Sequence, residues 1–322
     1  MSRLVECVPN FSEGRRGNVV DALVKAVESV EGVQLLDRGS DVDHNRSVLT
    51  FAGEAGAVSE AAARAAAVAI ELIDMNGHDG QHPRLGAVDV VPFVPLGDTS
   101  IDECVEVARA FGRRIADEHG LPVYLYARAA TRPEREVLAD IRRPQFEGLR
   151  DLIDQPEHEP DFGPARIHPT AGATVVGARP FLIAYNINLE SGDVELAKRI
   201  ARRVRERSGG LPRVQALGLY LDDLRCAQVS MNLLDHEVTP IWLVWQTVSE
   251  LARDEGVEVR ESELIGLCPL AAMLAVADHA GVEPGLDEAQ RATAAAEWLR
   301  VRGFRPGMVL ELRMAELSGG SV

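Results

Sequence analysis

One β-α-β-β-α-β order of apolar segments occurs twice along this chain, and this repetition constrains the fold more than any other feature. Short apolar runs closed by turn residues indicate strands, and apolar positions three or four residues apart indicate helices. Both sets have the order of the ferredoxin-like fold, in which two helices cover one face of an antiparallel sheet. The predicted segments are 4–8, 18–30, 33–36, 47–51, 57–73 and 88–94 in the first set, and 181–187, 194–207, 214–221, 227–234, 240–252 and 257–267 in the second.

The two sets predict an α+β protein, an α/β sandwich built from two ferredoxin-like βαββαβ subdomains. We place the domains at residues 1–177 and 178–322, because the segment 155–177 before the boundary is dense in proline and glycine. Such a segment is typical of a hinge or of a loop that lines a ligand site. Between the two sets we predict one further helix and a strand at 122–126, and the pattern after Pro269 is helical.

The charge balance and the cysteines disfavour several classes of protein. The 322 residues contain 34 Lys and Arg against 50 Asp and Glu, a net charge of -16 that disfavours binding to nucleic acid. The four cysteines are far apart, which predicts reduced thiols rather than a zinc or disulfide framework. The N-terminal segment lacks a secretory apolar region, and the longest apolar run, 264–277, falls short of the ~20 residues of a membrane helix. We therefore expect a cytoplasmic protein without membrane contact.

The densest group of reactive side chains lies in the loop 78–86, between a predicted helix and a predicted strand. His78 and His82 are four residues apart, a spacing that can place two metal ligands on one helical face, but Gly80 and Pro83 argue against a helix. The other functional interpretation is a loop that presents a histidine as general base, with Arg84 beside it to bind an anion. A solvated surface loop is the structural alternative.

Two further segments carry candidate ligand contacts. In the segment 161–174 (DFGPARIHPTAGAT), glycines would let the backbone approach a ligand, although a plain interdomain linker explains them equally well. Its DFG string is a chance match to protein kinases, because neither an HRD motif nor a glycine-rich strand-turn-strand precedes it. No phosphate-loop lysine follows the glycines, so a nucleotide P-loop is not supported. In the turn 41–46, we expect Asn45 and Arg46 to face the cleft at the strand ends and contact substrate, with a solvated turn as the alternative.

Taken together, these strings resemble the glutamate formiminotransferase family, folate-dependent enzymes that also form the N-terminal part of formiminotransferase-cyclodeaminases. The resemblance extends in order over residues 3–275, and strings of this length make a chance match a poor explanation. It rests on LVECVPNFSEG (4–14), NR (45–46), LIDM (72–75), HPR (82–84), GAVDVVPFVP (86–95), VYLY (123–126), DFGP (161–164), GAT (172–174), GAR (177–179), FLIAYNINL (181–189), VS (229–230), NLLD (232–235) and EVT (237–239).

The resemblance implies two α/β subdomains that enclose a substrate tunnel, and a homodimer. The implied reaction transfers the formimino group from N-formimino-L-glutamate to N5 of tetrahydrofolate, a co-substrate, in histidine breakdown; no metal is required. The family's catalytic histidine corresponds to His82, and its folate-binding loop corresponds to 163–172. We expect folate contacts from five residues on this loop and just after it, namely Gly163, Pro164, His168, Gly172 and Thr174.

The chemistry of these substrates suggests roles for the remaining candidates. Both substrates carry carboxylates, which Arg46 and Arg84 could anchor. The cationic formimino group could be held by Asp41 or Asp43, which the sequence does not rank. Transfer passes through a tetrahedral carbon, so proton movement and positioning suffice. One neutral imidazole, that of His82, can act first as base and then as acid.

Two other functions stay open from the sequence. The chain could be a folate enzyme that uses another one-carbon donor, such as a formyl group, or a non-catalytic folate-binding protein. His82 beside Arg84 favours an enzyme, because a binding module does not need a general base. For the folate loop, we expect that valine at Gly163 or Gly172 weakens tetrahydrofolate binding while the fold survives.

Overall fold

The chain divides between Pro180 and Phe181 into two compact units, here called the N-terminal and C-terminal units. The computed structural model describes residues 3–80 and 82–319. The boundary expected at 177/178 falls inside the last strand of the N-terminal unit, Thr174–Ala178. The Pro- and Gly-rich segment 155–177 thus belongs to the N-terminal unit, where its end pairs into the sheet.

The described strands and helices of the N-terminal unit are β1 (Leu4–Cys7), β2 (Asn10–Phe11), α1 (Gly17–Glu28), β3 (Val33–Asp41), β4 (Arg46–Glu54), α2 (Ala55–Leu72), β5 (Val88–Pro95), α3 (Ile101–His119), β6 (Val123–Ala127), α4 (Leu138–Ile141), α5 (Gln145–Leu152) and β7 (Thr174–Ala178). The strands form a sheet in the order β3-β4-β1/β2-β5-β7-β6. Strands β1 and β2 lie in line, and each pairs antiparallel with β4 and with β5. The first four positions of this order are those of the ferredoxin-like fold.

Two parallel strands extend this sheet beyond the predicted set. The strand β7 pairs with β5 and with β6 in parallel register. Strand β6 was predicted, but β7 was not, because most of its residues lie in the segment 155–177 that was interpreted as a hinge or ligand-lining loop. The extension places the N-terminal ends of β5 and β7 next to each other at one edge of the sheet.

The two faces of the N-terminal sheet have different partners. Helices α1, α2 and α3 cover one face, and the core there contains large apolar side chains such as Phe51, Phe93 and Phe111. Because Leu49 and Phe51 of β4 face this core, strand alternation puts Arg46 on the opposite face. That opposite face carries a smaller apolar cluster that includes residues of α5. The candidate site lies on this side, at the edge where β2 ends and β5 begins.

The strands and helices of the C-terminal unit are β8 (Ile183–Leu189), α6 (Val194–Val204), β9 (Val214–Leu221), β10 (Cys226–Leu233), α7 (Ile241–Asp254), β11 (Val259–Ile265), α8 (Leu270–His279), α9 (Glu288–Trp298) and α10 (Leu310–Leu317). The unit is ferredoxin-like without an extension, with the sheet order β11-β8-β10-β9. The prediction of two βαββαβ subdomains is therefore confirmed. The helices α8, α9 and α10 follow β11, so the helical pattern expected after Pro269 is also present.

None of the helices in the described ranges is long and apolar enough to cross a membrane.

Candidate functional site

Hydrogen bonds join several loops at one edge of the N-terminal sheet. The main-chain nitrogen of Gly14, after β2, donates to Asn45 Oδ1 in the turn 41–46 at 3.0 Å. Asn45 Nδ2 donates to the carbonyl of Asp79 in the loop 78–86 at 3.1 Å. That loop is in turn bonded to α5, because Phe146 N donates to the carbonyl of Arg84 at 2.9 Å. The polar residues predicted from distant parts of the sequence are therefore brought together here.

His78 connects the turn 41–46 to Arg84. Its Nε2 lies 3.0 Å from the carbonyl oxygen of Asn45, which can only accept, so Nε2 carries the proton. The other ring nitrogen, Nδ1, accepts a hydrogen bond from Arg84 Nε at 3.2 Å. Both nitrogens of the neutral ring are thus occupied, and His78 is a positioning residue in this arrangement.

Arg84 is buried, and its guanidinium already donates hydrogen bonds to other side chains of the protein. Nη1 donates to Glu147 Oε2 at 3.0 Å, and Nη2 donates to Glu147 Oε1 at 2.5 Å. A further bond runs from Nη1 to Gln145 Oε1 at 3.0 Å. The hydrogen bonds from Arg84 hold the pKa of the Glu147 carboxyl below its usual range. A substrate carboxylate would have to displace Glu147 to bind Arg84. This geometry disfavours Arg84 as an anchor for a substrate carboxylate, and that role stays a prediction.

His82 is half-buried, and only one of its ring nitrogens has a hydrogen-bond partner among the described residues. Its Nδ1 lies 2.7 Å from the carbonyl of Pro83 and donates to it, which leaves the lone pair of Nε2 free. Burial and the positive charges of Arg46 and Arg142 lower the pKa of His82 to about 4, against the opposing effect of Asp89. The ring is therefore neutral at neutral pH, the state that a general base requires.

Arg46 is a partly buried cation, and no acidic side chain in the described ranges forms an ion pair with it. Its Nη2 donates to Asn10 Oδ1, and its Nε is buried without a hydrogen-bond partner in the same ranges. Burial lowers the pKa of Arg46, and nearby Arg142 acts in the same direction. Buried charges are normally paired, so this environment is compatible with an anionic ligand at Arg46. Its binding of a substrate carboxylate stays a prediction.

A buried ion pair between Arg142 and Asp89 lies near Arg46. Arg142 Nη2 bonds Asp89 Oδ2, and Asp89 Oδ1 accepts from the main-chain nitrogen of Leu85 at 2.9 Å. The side chain of Asp89 is only 2% exposed. The sequence analysis missed both partners. An aspartate inside an otherwise apolar strand was the available signal for Asp89, whereas Arg142 lies in an irregular segment that gave none.

Another histidine near His82 is His44, which lies in the turn 41–46 and has a carboxylate partner. Asp41 Oδ1 accepts from the main-chain nitrogen of His44 at 2.8 Å, and Asp41 Oδ2 lies 2.8 Å from His44 Nδ1. These hydrogen bonds hold the pKa of Asp41 below its ordinary value. The His44 ring lies edge-on to the His82 ring, with 6.1 Å between the ring centroids. The sequence analysis did not select His44.

Asp41 and Asn45, both expected to contact substrate, are bonded within the protein. Asn45 has a left-handed backbone conformation (φ 47°) and uses both polar atoms of its side chain to hold neighbouring loops. The Asp41 carboxylate is occupied by His44. Their roles in substrate binding stay predictions, and the structure gives both residues a positioning role in addition.

The glycines of the expected folate loop are required by the backbone itself. Gly163 (φ 84°) and Gly172 (φ 76°) are left-handed, and a Cβ at these positions would lie 2.7 Å and 2.3 Å from the carbonyl oxygens of Leu121 and Leu85. Valine at either position would therefore strain the backbone, which disfavours the expectation that the fold survives such a substitution unchanged. That expectation stays a prediction. A contact between these residues and folate stays a prediction.

The other expected folate contacts have different environments. His168 closes a tight turn, because its Nδ1 accepts from Ala171 N at 2.9 Å. Pro164 is half-buried between Gly163 and that turn. Thr174 is fully buried at the start of β7, and alternation places it on the same side as Val176, in the core beneath the helices. This placement disfavours direct contact between Thr174 and a ligand at the opposite face.

No group of three or more His, Cys, Asp or Glu side chains within residues 3–80 and 82–319 is placed to hold a metal ion. The His78 ring is bonded through both nitrogens, which disfavours the pair of histidine ligands considered for His78 and His82. Catalysis without a metal stays a prediction.

Comparison with known proteins assigns the chain to a family. Residues 4–179 match the family model described as the formiminotransferase domain, N-terminal subdomain, and residues 184–293 match the model described as the formiminotransferase domain. The chain belongs to the formiminotransferase family. The resemblance inferred from the sequence motifs is thereby confirmed, and the two matches correspond to the two units of the structure.

Two relatives of this formiminotransferase family member match it over nearly their whole length, and a longer relative matches it over about half. The chain is 45% identical to a glutamate formimidoyltransferase of Streptococcus pyogenes serotype M1, over 87% of this chain and 93% of that protein. It is 44% identical to a glutamate formimidoyltransferase of Thermoplasma acidophilum, over 97% of each chain. A formimidoyltransferase-cyclodeaminase of Rattus norvegicus is 48% identical over 85% of this chain, but that match covers only 52% of the rat protein.

Proposed function

We propose that this protein transfers the formimino group from N-formimino-L-glutamate to N5 of tetrahydrofolate and releases L-glutamate, a step of histidine breakdown. One observation carries the proposal most directly. The neutral imidazole of His82, whose Nε2 has no hydrogen-bond partner among the described residues, lies near the partly buried guanidinium of Arg46, which forms no ion pair among them. The similarity to proteins named glutamate formimidoyltransferase supports the same reaction.

His82 is the general base in this proposal. When N5 of tetrahydrofolate attacks the formimino carbon, N5 becomes an acidic ammonium, and Nε2 of His82 removes its proton. The Pro83 carbonyl fixes the ring tautomer that makes Nε2 the acceptor. The surrounding arginines keep the ring neutral before the reaction. General base catalysis of this kind typically contributes ~10²–10⁴ in rate.

Arg46 binds a carboxylate of one of the anionic substrates. The guanidinium has no acidic partner among the described residues, and an anion supplies the counter-charge that the cation lacks. Arg84 acts behind this site, since it fixes His78 and Glu147. The segment from Gly163 to Gly172 is the proposed folate contact, on the family resemblance. The same resemblance supports a homodimer, and the widely spaced cysteines support a cytoplasmic location.

An assay of the purified protein with N-formimino-L-glutamate and tetrahydrofolate tests this function. We expect release of L-glutamate and the ultraviolet absorbance change that accompanies cyclisation of the folate product. Activity only with a formyl donor would instead support a different folate transferase. Folate binding by calorimetry without turnover of either donor would support a non-catalytic binding protein. Full activity in the presence of a chelator is expected, because the reaction needs proton movement and positioning alone.

A further inference from the structure

The turn between β3 and β4 places a second imidazole beside the proposed base. The ring centroids of His44 and His82 are 6.1 Å apart, and the rings meet at 69°. His44 Nδ1 donates to Asp41 Oδ2 over 2.8 Å, so that Nε2 of His44 is the ring nitrogen left for a ligand. The His82 ring likewise uses Nδ1 for the protein and leaves Nε2 free.

The two rings have opposite electrostatic surroundings. His82 is close to the charges of Arg46 and Arg142, and its only hydrogen bond among the described residues is to a carbonyl. His44 has a carboxylate as its partner and is half-exposed, with 45% of its side chain accessible. A carboxylate bonded to Nδ1 orients an imidazole ring, so that Nε2 can face a reacting atom.

The other charged groups around His44 come from three places. Asp43 lies beside it on the same turn and is exposed. From the loop before α1, the Arg15 guanidinium bonds the carbonyl of Val42 at 2.9 Å. From the loop 78–86, His82 is the neighbouring ring, and Gly80 approaches the His44 carbonyl so closely that a Cβ there would lie 2.3 Å from it. Among these groups and Asp41, it is the Asp41 carboxylate that bonds the His44 ring directly.

We propose that His44, oriented by Asp41, is the general acid that protonates the departing glutamate nitrogen, while His82 serves only as the base. This inference rests on the proposed formimino transfer. N5 of tetrahydrofolate forms a bond to the formimino carbon, and Nε2 of His82 removes the N5 proton. Nε2–H of protonated His44 then gives its proton to the glutamate nitrogen. The carbon–nitrogen bond to glutamate breaks, and the lone pair of the remaining amino nitrogen re-forms the C=N bond.

A second ring removes a geometric difficulty of the single-imidazole mechanism. One imidazole would have to reach two different nitrogens of the same tetrahedral carbon in succession. Rings on separate loops reach both nitrogens from fixed positions, which avoids a reorientation in the transition state. After each turnover His82 holds one extra proton and His44 lacks one, so a proton transfer between the neighbouring rings or through solvent restores the starting state.

Comparison of two donors tests the assignment. The donors are N-formimino-L-glutamate and its 4,4-difluoro analogue, whose less basic amine leaves more readily without a proton. We expect His44→Gln to lower kcat about 10²-fold or more with the natural donor, and the defect to shrink about tenfold with the fluorinated one. The defect of His82→Gln should be the same with both donors. The matched control is His158→Gln, which should retain wild-type turnover. His158 is a half-buried histidine in the N-terminal unit, and its contact with the Tyr124 hydroxyl is made by its main-chain carbonyl.

Asp41→Asn separates the orienting role from direct binding of the formimino group. If Asp41 acts through His44, Asp41→Asn lowers kcat but adds little in the His44→Gln background, as a double-mutant cycle measures. A raised KM for the donor, equal in both backgrounds, would overturn that role. Wild-type turnover of His44→Gln, or equal defects with both donors, would overturn the acid assignment. A wild-type protein that transfers no formimino group would instead refute the proposed function.

Discussion

His78 and His82 are only four residues apart, yet their rings have different partners and therefore different roles. The His78 ring is bonded through both nitrogens, to Asn45 and to Arg84. The His82 ring is bonded through Nδ1 alone. A free ring nitrogen is what distinguishes a base from a positioning residue.

We predict that His82→Ala lowers kcat by about 10²–10⁴ and changes folate affinity by only a few-fold. Because the pKa of His82 is lowered to about 4, the acid limb of kcat/KM that depends on this ring should lie nearer pH 4 than pH 6.5. His78→Ala should lower kcat much less, since it removes a support rather than the base. Steady-state kinetics and calorimetry measure both. A more severe defect in His78→Ala would place the base elsewhere.

Arg46 is a partly buried cation that forms no ion pair among the described residues. Replacement by glutamine removes the unpaired Nε–H and the positive charge, so we predict that Arg46→Gln raises the KM of an anionic substrate about tenfold or more. Arg38→Gln is the control, because Arg38 is exposed on β3 and pairs with Asp21 at 3.0 Å. Equal KM values for the two variants would show that the carboxylate binds elsewhere.

Short loops at the starts of β5 and β7 are fixed by contacts between main chains. Gly86 and Gly172 form an isolated β-bridge, and Ala173 N donates to the carbonyl of Leu85 at 3.1 Å. The turn His168–Gly172 is closed by main-chain bonds in both directions, at 2.9 Å and 3.2 Å. The edge of the sheet that carries the candidate site is thus built from backbone packing, with little room for side chains.

We predict that Gly172→Ala destabilises the protein by about 1–3 kcal/mol, the typical cost of a strained backbone conformation. The added Cβ would lie 2.3 Å from the carbonyl oxygen of Leu85, in a backbone already at φ 76°. Gly285→Ala is the control, because nothing lies within 4 Å of its Cβ position. Chemical denaturation compares the two, and equal unfolding midpoints would mean that the turn relaxes without cost.

The whole protein should lose stability in mild acid, at pH values above those at which most carboxylates titrate. The pKa values of His82, His168 and His236 are all lowered, with burial as the main cause. Between about pH 6.5, the ordinary value, and the lowered value, the unfolded chain binds more protons than the folded one. The free energy of unfolding therefore falls as the pH falls through this window, which for His82 extends to about 4.

Urea denaturation at about pH 7.5 and about pH 5 measures this dependence. We predict that the wild-type midpoint falls between these values, and that His82→Gln reduces the fall because it removes one of the three titrating rings. An equal fall in wild type and variant would mean that His82 does not contribute. A midpoint that rises toward acid would contradict the direction of all three shifts.

The repeated ferredoxin-like order was readable from the sequence because hydrophobic periodicity is a local property of each strand and helix. His82 and Arg46 were also selected from the sequence, through a motif and a turn. The partners of the site residues were not readable, because they are distant in the chain: Glu147 is 63 residues from Arg84, and Asp89 is 53 residues from Arg142. Only the folded chain shows that Arg84 is already neutralised, that Arg46 is not, that Thr174 faces the core, and that His44 meets His82. Burial and pairing decide these roles, and both depend on which segments the sheet brings together.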